Sequence, residues 1–398
     1  MANAMTEPKS ALSEVLKNGY HSMFARQWSM LTAGMLLGAV NVFLFAYAKP
    51  WSASDGVRNW GEWFFNATGV NEKIIVTPLL YTTSVLNIGI VLGALAAALL
   101  ASQFQLRMAP WRELVKGLLG GILMGIGSTL AFGCNIGGFF SATSALSLAG
   151  PVMMIGLLAG AYIGVRLLSW EVEFLPPPTW GIRRRPSSGS PRRLPPQPLL
   201  GAGLLLAAMA GALVYDQLEF TDTAVFLLFG LFIGIVMQRS RFCFVRAFRE
   251  PFLTGNADAT RAAAVAVMIS LTGFTILKWA DLRDWEEVVH PAVWLGSLLG
   301  GTLFGIGMCI AGGCATGSLW RAGEGHVKLW VALSGFALTG AYSRAWLEDS
   351  GDLMKLGAAV FLPDIMTWKA AYLMLIGIML LWVLIAAWNE KSQKLVMN

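Results

Sequence analysis

Long apolar runs alternate with short charged segments along most of the chain. Most of these runs approach the roughly 20 residues that a helix needs to cross the hydrocarbon core of a bilayer. We therefore predict about nine to eleven membrane crossings, a range set by two glycine-rich regions that each contain a cysteine. The apolar segments are Ser29–Ala48, Pro78–Leu100, Leu118–Ala131, the short half-helix Ile136–Leu148, Pro151–Leu168, Leu199–Val214, Thr223–Met237, Ala262–Trp279, Ala292–Cys309, Lys328–Trp346 and Trp368–Ala387.

The composition identifies the class of protein. Hydrophobic residues make up 56% of the chain and charged residues 13%, whereas soluble domains carry about 25% charged residues. The sequence therefore predicts an all-α integral membrane protein, and its first apolar run is too long for a cleavable signal peptide. The net charge of +6 reflects basic cytoplasmic loops and requires no nucleic-acid partner. Four cysteines without a CxxC pair provide no zinc or disulfide framework, so we predict no metal and no cofactor.

The chain contains an internal duplication with an offset of 180 residues. Between 120–137 and 300–317, ten of eighteen aligned positions are identical, including six glycines and the pair Cys134 and Cys314. The same offset aligns the Gly-Ala-Tyr triplet at 160–162 with its copy. Shared composition alone does not produce a shared register. We therefore interpret the chain as two repeats, each with one cysteine on flexible backbone.

The charges of the loops indicate that the two repeats have opposite orientations in the membrane. The segment that leads to Cys134 begins at a basic loop, whereas the segment that leads to Cys314 begins at an acidic loop. Because basic loops stay in the cytoplasm, the single extra crossing at Leu199–Val214 reverses the second repeat. Inverted repeats of this kind place a substrate site near the bilayer midplane, on discontinuous helices between the repeats.

The predicted organisation places both termini in the cytoplasm. It comprises an N-terminal cytoplasmic segment (1–28), a first membrane repeat (29–170), a Pro/Arg-rich cytoplasmic linker (171–198), an extra crossing that inverts the second half (199–221), a second membrane repeat (222–348), and a terminal loop, helix and tail (349–398).

The two Gly-Cys loops are the strongest candidates for a functional site. A cysteine in a membrane helix usually acts as a small apolar residue, but here both thiols recur in one register beside glycines that allow unwound backbone. Unwound backbone at membrane depth is tolerated only inside protein or at a cavity, and its free N–H groups bind anions. The candidate residues of these loops are Gly133, Cys134, Asn135, Gly313, Cys314 and Thr316.

A third thiol, Cys243, lies among arginines at the inner end of a crossing. Arg239 and Arg241 flank it and are candidates for anion attraction, although arginines here also satisfy the positive-inside rule. Arg321 follows the Cys314 loop, where it either guides an anion or caps a helix end. We assign no functional role to Cys309 or His290.

Neutral thiols suit an anion path better than thiolates do. The ordinary pKa of a thiol is about 8.5, and burial in apolar surroundings raises it. A thiolate about 4 Å from a dianion would cost about 8 kcal/mol at an effective dielectric constant of about 20. A neutral S–H group donates a hydrogen bond instead. The loops are therefore predicted to guide a soft anion with a sulfur or selenium end, and no residue is assigned a catalytic role.

Three segments carry a resemblance to a known family: Phe132-Gly133-Cys134-Asn135, the run from Arg241 to Arg249, and the run from Ala311 to Ala322. On these residues the chain resembles the YeeE/YedE family of sulfur-transport membrane proteins, and is most similar to its YedE-type branch. The resemblance implies an hourglass-shaped protein of the bacterial inner membrane, with loops and short helices that dip inward from both faces. It also implies thiosulfate uptake, in which Cys134, Cys243 and Cys314 pass the ion along, and a TusA-like sulfur-carrier protein as cytoplasmic partner.

The leading hypothesis is an importer, surrounded by membrane lipids, for thiosulfate or a related sulfur anion. Three alternatives stay open: a selenium species as the substrate, a membrane thiol enzyme in which Cys314 accepts sulfane sulfur, and an accessory subunit without a path of its own.

Overall fold

The structure is a computed structural model that describes residues 24, 26–70, 75–174 and 197–397. Its helices are α1 (Met30–Tyr47), α2 (Ser54–Ala67), α3 (Thr82–Leu100), α4 (Trp111–Leu130), a π-helical turn (Asn135–Ser141), α5 (Ala142–Ser144), α6 (Ala149–Phe174), α7 (Gln197–Gln217), α8 (Thr221–Ser240), α9 (Phe244–Leu253), α10 (Asp258–Trp279), α11 (Leu295–Ala311), α12 (Ala315–Gly323), α13 (Val327–Asp349), a 3-10 turn (Leu353–Leu356), α14 (Leu362–Ile365) and α15 (Trp368–Ser392). Two short strands, β1 (Pro291–Val293) and β2 (Ala358–Ala359), pair antiparallel.

The predicted all-α integral membrane protein is confirmed for the described part of the chain. Nine of the helices there are long and apolar enough to cross a membrane, which lies within the predicted range. Two of these nine spans, Thr221–Leu253 and Leu295–Gly323, join a crossing to the short helix that follows it. The short half-helix predicted at Ile136–Leu148 is a π-helical turn followed by the single turn of α5.

Two of the predicted segments fall largely outside the described residues. They are the N-terminal segment 1–28 and most of the linker 171–198. Helix α6 continues to Phe174, past the boundary predicted at 170.

The order of elements repeats along the chain. We call α1 to α6 the first half and α8 to α13 the second half. Each half has a long helix, a short helix, two long helices, a cysteine followed by a helical turn, and a last long helix. The packing repeats too: α3 packs on α8 as α10 packs on α1, and α4 packs on α13 as α11 packs on α6. Helices α7 and α15 lie outside this correspondence.

Helices α4 and α11 cross at the centre through glycines that are equivalent in the two halves. A Cβ on Gly120 would lie 2.6 Å from the carbonyl oxygen of Gly307, and a Cβ on Gly127 would lie 2.6 Å from that of Gly300. The partner numbers fall as the α4 numbers rise, so these two equivalent helices run antiparallel. Small residues allow this backbone-to-backbone approach.

The antiparallel crossing places the two cysteine loops at opposite ends of the α4–α11 pair. We call the end where α4 finishes the Cys134 end and the end where α11 finishes the Cys314 end. The strands β1 and β2 lie at the Cys134 end, where Gly296 at the start of α11 approaches the Leu130 carbonyl.

Candidate functional site

Cys134 interrupts the first half immediately after α4. Phe132 and Gly133 lead out of the helix, with Phe132 in the left-handed region at φ 55°. Cys134 then caps the π-helical turn: its Sγ accepts a hydrogen bond from the Ile136 amide at 3.4 Å. Its own amide donates to Ser54 Oγ at 3.1 Å. The thiol is fully buried and held by local backbone, as expected for a helix broken inside the protein.

Cys314 occupies the equivalent place in the second half. Helix α11 ends at Ala311 and is capped by Gly312, which lies in the left-handed region at φ 82°. Cys314 caps α12. The Cys314 Sγ accepts a hydrogen bond from the Gly317 amide at 3.3 Å. Glycine suits the left-handed position because it has no Cβ to collide with its own carbonyl. The sequence therefore builds a sharp helix break at Cys314.

Cys243 joins Cys314 at a distance that allows a thiol–thiol contact. It precedes α9, and its Sγ lies 3.8 Å from the Sγ of Cys314. A Cβ on Gly317 would come within 3.0 Å of Cys243 Sγ and lie 3.2 Å from Cys314 Sγ. Gly317 is therefore required for the two thiols to meet. From the sequence we expected Cys134 and Cys314 to be the central thiols and Cys243 to lie towards the cytoplasm; the contact between Cys243 and Cys314 was not predicted.

The three cysteines belong to one buried cluster that spans both halves. The ring of Phe140, in the turn after Cys134, lies 5.6 Å from that of Phe244, the residue after Cys243. Cys309 is also buried, but its Sγ contacts the Ala161 carbonyl at 3.9 Å on the α6 side. Aromatic packing thus ties the Cys134 turn to the segment that carries Cys243.

Serine side chains take the place of Cys243 in the first half. The nearest atoms to a Cβ on Gly137, which aligns with Gly317, belong to Ser52 and Ser54, with Ser52 Oγ at 3.0 Å. The two hydroxyls lie 3.2 Å apart, and Ser54 Oγ accepts the hydrogen bond from the Cys134 amide. Sequence analysis missed both serines. Their only sequence signal is their position at the start of the short helix α2: Ser52 lies just before it, as Cys243 lies before α9, and Ser54 is its first residue.

Several polar side chains beside the thiols are buried without a hydrogen-bond partner among the described residues. Both amide atoms of Asn135 are in this state, as are the hydroxyls of Thr316 and Ser318. A buried polar group left unpaired costs about 1–3 kcal/mol, so such groups usually have a partner. A cluster of them around broken helices indicates a place for a polar ligand.

The predicted loop glycines permit close backbone approach. A Cβ on Gly133 would lie 2.5 Å from the Gly138 amide, and a Cβ on Gly313 would lie 2.9 Å from Ser318 Oγ. Both glycines therefore let the chain fold back on the turn that follows each cysteine.

The three arginines proposed for anion attraction all bind groups of the protein. Arg239 is buried and donates to the Arg26 carbonyl at 2.9 Å. Arg241 Nη1 lies 2.6 Å from Oε1 of Glu324. Arg321 donates to the Gly312 carbonyl at 2.7 Å, which is the helix-end capping that the sequence left as one of two interpretations. Each of the three guanidinium groups therefore has a partner within the protein.

A polar cavity of about 290 Å³ opens at the Cys134 end. Two arginines, Arg58 and Arg344, line it together with His290. Gly133 lines it as well, so the cavity lies directly next to the Cys134 loop. Burial lowers the pKa of His290, so this ring is neutral at pH 7. Sequence analysis overlooked these residues, which come from three distant segments, and treated His290 as an ordinary interfacial residue. The remaining lining residues are Ser54, Asp55, Tyr81, Ser128, Thr129 and Phe132.

The fold and the site together define a helical integral membrane protein whose core holds three buried thiols on broken helices. The sulphur transport family matches residues 2–163 and 239–397. The chain belongs to this family, and the resemblance to YeeE/YedE proteins is confirmed.

Curated relatives of the chain are named transporters. The chain is 28% identical over 329 residues to the probable transporter YedE of Escherichia coli (strain K12), which covers 78% of this chain and 79% of that protein. It is 28% identical over 321 residues to the YedE protein of Salmonella typhimurium, with 76% and 77% covered. A shorter match, 39% identical over 119 residues, is to the thiosulfate transporter TsuA of Escherichia coli (strain K12), with 30% of this chain and 33% of that protein covered. The chain is therefore a multi-pass transporter of the sulphur transport family rather than an enzyme.

Proposed function

We propose that the chain carries thiosulfate, or a related sulfur anion, across the bacterial inner membrane through a path between its two halves. The observation that carries the proposal is the Cys243–Cys314 pair at 3.8 Å, next to polar groups that have no partner among the described residues. The thiosulfate transporter TsuA matches a third of its own length here, which supports the same class of substrate.

The path is proposed to begin in the cavity of about 290 Å³ at the Cys134 end. Guanidinium groups suit an oxyanion because they present several donors and keep their charge at any physiological pH. Arg344 and Arg58 line this cavity, although both also have acidic partners: Arg344 pairs with Glu348, and Arg58 pairs with Glu62 at 3.1 Å and with Asp55 at 3.5 Å. The anion would be attracted here before it reaches Cys134.

The central step is proposed to use neutral S–H donors. Cys134, Cys243 and Cys314 would each donate to the soft sulfur end of the anion, while Asn135 and Thr316 serve its oxygens. A thiol gives up little hydration on burial and makes only weak hydrogen bonds. A chain of such donors can therefore hold an anion briefly at each step without trapping it.

The antiparallel crossing of α4 and α11 supports the inverted topology inferred from loop charges. If both termini are cytoplasmic, the Cys134 end faces outward and the Cys314 end faces the cytoplasm. A TusA-like sulfur-carrier protein is proposed to receive sulfur at that inner end. The YedE relatives carry no substrate in their names, so a selenium species stays the alternative cargo.

The test is uptake of radiolabelled thiosulfate into cells that lack their other importers. The wild-type chain is compared with Cys134→Ala, Cys243→Ala and Cys314→Ala at matched membrane expression. Cys309→Ala is the matched control, because Cys309 is equally buried but contacts Ala161 rather than the other thiols. We expect uptake to fall in the first three variants and to persist in the control. No uptake by a well-expressed wild-type chain would exclude thiosulfate and make selenium compounds the next substrates to test.

A further inference from the structure

Glu324 is a buried carboxylate at the Cys314 end. It follows α12 directly and its side chain is 1% exposed. Arg241 Nη1 lies 2.6 Å from Oε1 of Glu324, and Arg107 Nη1 lies 3.9 Å from Oε2. The Gln238 amide donates to Oε1 at 2.9 Å. A buried carboxylate of this kind is retained only when it is paired and hydrogen-bonded.

This carboxylate is linked to the thiol pair by two short connections. Helix α12 begins directly after Cys314 and ends at Gly323, directly before Glu324. Arg241 lies two residues before Cys243. The Arg241 guanidinium also lies 5.8 Å from the centre of the Trp320 ring, which is 1% exposed. The Arg241–Glu324 pair therefore lies at the Cys314 end and is joined to both thiols by short stretches of chain.

Backbone hydrogen bonds also hold the loop that carries Arg107 against the segment after Glu324. The Arg107 amide donates to the Gly325 carbonyl at 2.8 Å, and the Val327 amide donates to the Arg107 carbonyl at 3.2 Å. His326 Nε2 lies 2.6 Å from Arg107 Nη1. Since arginine only donates, this nitrogen accepts and the ring is neutral. The loop that carries Arg107 is thus fastened over the end of α12.

We propose that Glu324 is a built-in counter-anion that keeps the Cys314 end closed, and that the transported anion replaces it on Arg241 to leave the path. The idea rests on the proposed function. Two guanidinium groups against one carboxylate leave a formal excess of one positive charge when His326 is neutral. A dianion carries twice the charge of Glu324, so it competes well for the same donors. Transport and opening would then be coupled through one exchange of anions.

The experiment measures access to Cys243 and Cys314 rather than transport. Membrane vesicles of both orientations are treated with a charged, membrane-impermeant thiosulfonate, and each cysteine adduct is quantified by peptide mass spectrometry. We expect Glu324→Gln to raise labelling of Cys243 or Cys314 several-fold from the Cys314 face, because Arg241 loses its partner. Glu390→Gln is the matched control: Glu390 pairs with Arg261 away from the thiols, and its loss should leave labelling unchanged.

Two further variants keep the test decisive if Glu324→Gln does not fold. Glu324→Asp keeps the charge and should stay closer to the wild type, whereas Arg241→Gln removes the other partner and should expose the thiols. Labelling of folded Glu324→Gln or Arg241→Gln at the wild-type level would overturn the proposal. Thiosulfate uptake is measured in parallel. If the wild-type chain takes up no thiosulfate while Glu324→Gln and Arg241→Gln still show raised labelling, thiosulfate is contradicted as the substrate but the gate is not.

Discussion

The two cysteine loops have the same backbone but different surroundings. Cys134 has φ −77° and ψ −176°, and Cys314 has φ −76° and ψ −178°. In each loop the cysteine carbonyl accepts a 2.7 Å hydrogen bond from the amide four residues later. The first loop continues as a π-helical turn, whereas the second continues as the α-helix α12. The duplication has therefore kept the helix break while the structure that follows it has diverged.

The chemistry beside the two breaks differs more than the backbone does. Cys314 faces the thiol of Cys243, while the equivalent space near Cys134 is occupied by Ser52 and Ser54. The Cys134 end opens into a cavity lined by two arginines, whereas at the Cys314 end the buried Glu324 lies against two arginines. Under the proposed function, the Cys134 end would receive the anion and the Cys314 end would hold back its release.

The largest expected effect comes from adding one methyl group at Gly317. Its Cβ would come within 3.0 Å of Cys243 Sγ and lie 3.2 Å from Cys314 Sγ. Overpacking in a core costs about 1–3 kcal/mol, so we expect Gly317→Ala to lower thiosulfate uptake about tenfold or more. Gly137→Ala is the matched change in the first half, where the nearest atom is Ser52 Oγ at 3.0 Å. A serine hydroxyl rotates easily, so a smaller loss is expected there.

Uptake is measured at matched expression, and thermal unfolding in detergent confirms that both variants fold. Equal losses in the two variants would contradict the expectation that the thiol pair beside Gly317 tolerates an added methyl group less well than the serines beside Gly137.

The class of the fold and the register of the two loops could be predicted from the sequence, for separate physical reasons. Apolar runs of membrane length and loop charges act locally, so they mark helices wherever they occur. The duplication aligned Cys134 with Cys314 because both halves keep the same helix break. The family was also recognised from the segments around Cys134, Cys243 and Cys314, and the comparisons confirmed it.

The rest of the site depends on contacts between distant segments. Ser52 is the spatial counterpart of Cys243, but the two are 191 residues apart rather than 180, so the alignment of the halves hides the relation. The cavity joins Arg58, His290 and Arg344 only after the chain has folded. Glu324 follows helix α12 as one acidic residue in a polar loop, and nothing in the sequence indicates its two arginine partners.

An intermediate effect is expected at Thr316, which sharpens the comparison between the halves. Its hydroxyl is buried without a partner among the described residues, and the aligned position in the first half is Ile136. Thr316→Val keeps the shape and removes the hydroxyl. Because an unpaired buried hydroxyl costs about 1–3 kcal/mol, the variant should be at least as stable as the wild type. If the hydroxyl serves the anion, uptake should nevertheless fall several-fold.

Thr260→Val is the matched control for this prediction. The Thr260 hydroxyl is buried too, but it donates to the Ala247 carbonyl at 2.7 Å. Its loss should lower the free energy of unfolding by about 1 kcal/mol. A Thr316→Val variant that is destabilised like the control, with normal uptake, would show that the hydroxyl has a structural partner and no role in transport.

The smallest expected effect tests whether the two helix breaks cost the same backbone energy. Gly312 and Phe132 occupy equivalent positions, and both lie in the left-handed region, at φ 82° and φ 55°. A Cβ on Gly312 would meet no atom within 4 Å. Gly312→Ala should therefore lower the free energy of unfolding by about 1 kcal/mol, from backbone strain alone.

Phe132 carries the same strain already, and it is offset by ring contacts. The Arg344 guanidinium lies 5.4 Å from the centre of its ring, and His290 stacks on it at 6.3 Å. Phe132→Ala and Phe132→Gly both remove the ring, but only the glycine relieves the left-handed backbone. We expect Phe132→Gly to be the more stable of the two by about 1 kcal/mol in denaturant unfolding in detergent.

If the two variants unfold alike while Gly312→Ala is destabilised, the backbone at the first helix break relaxes once the Phe132 ring is removed, and only the second break is fixed by its local backbone. In that case the aromatic contacts at the cavity, rather than the inherited backbone, hold the Cys134 loop in place.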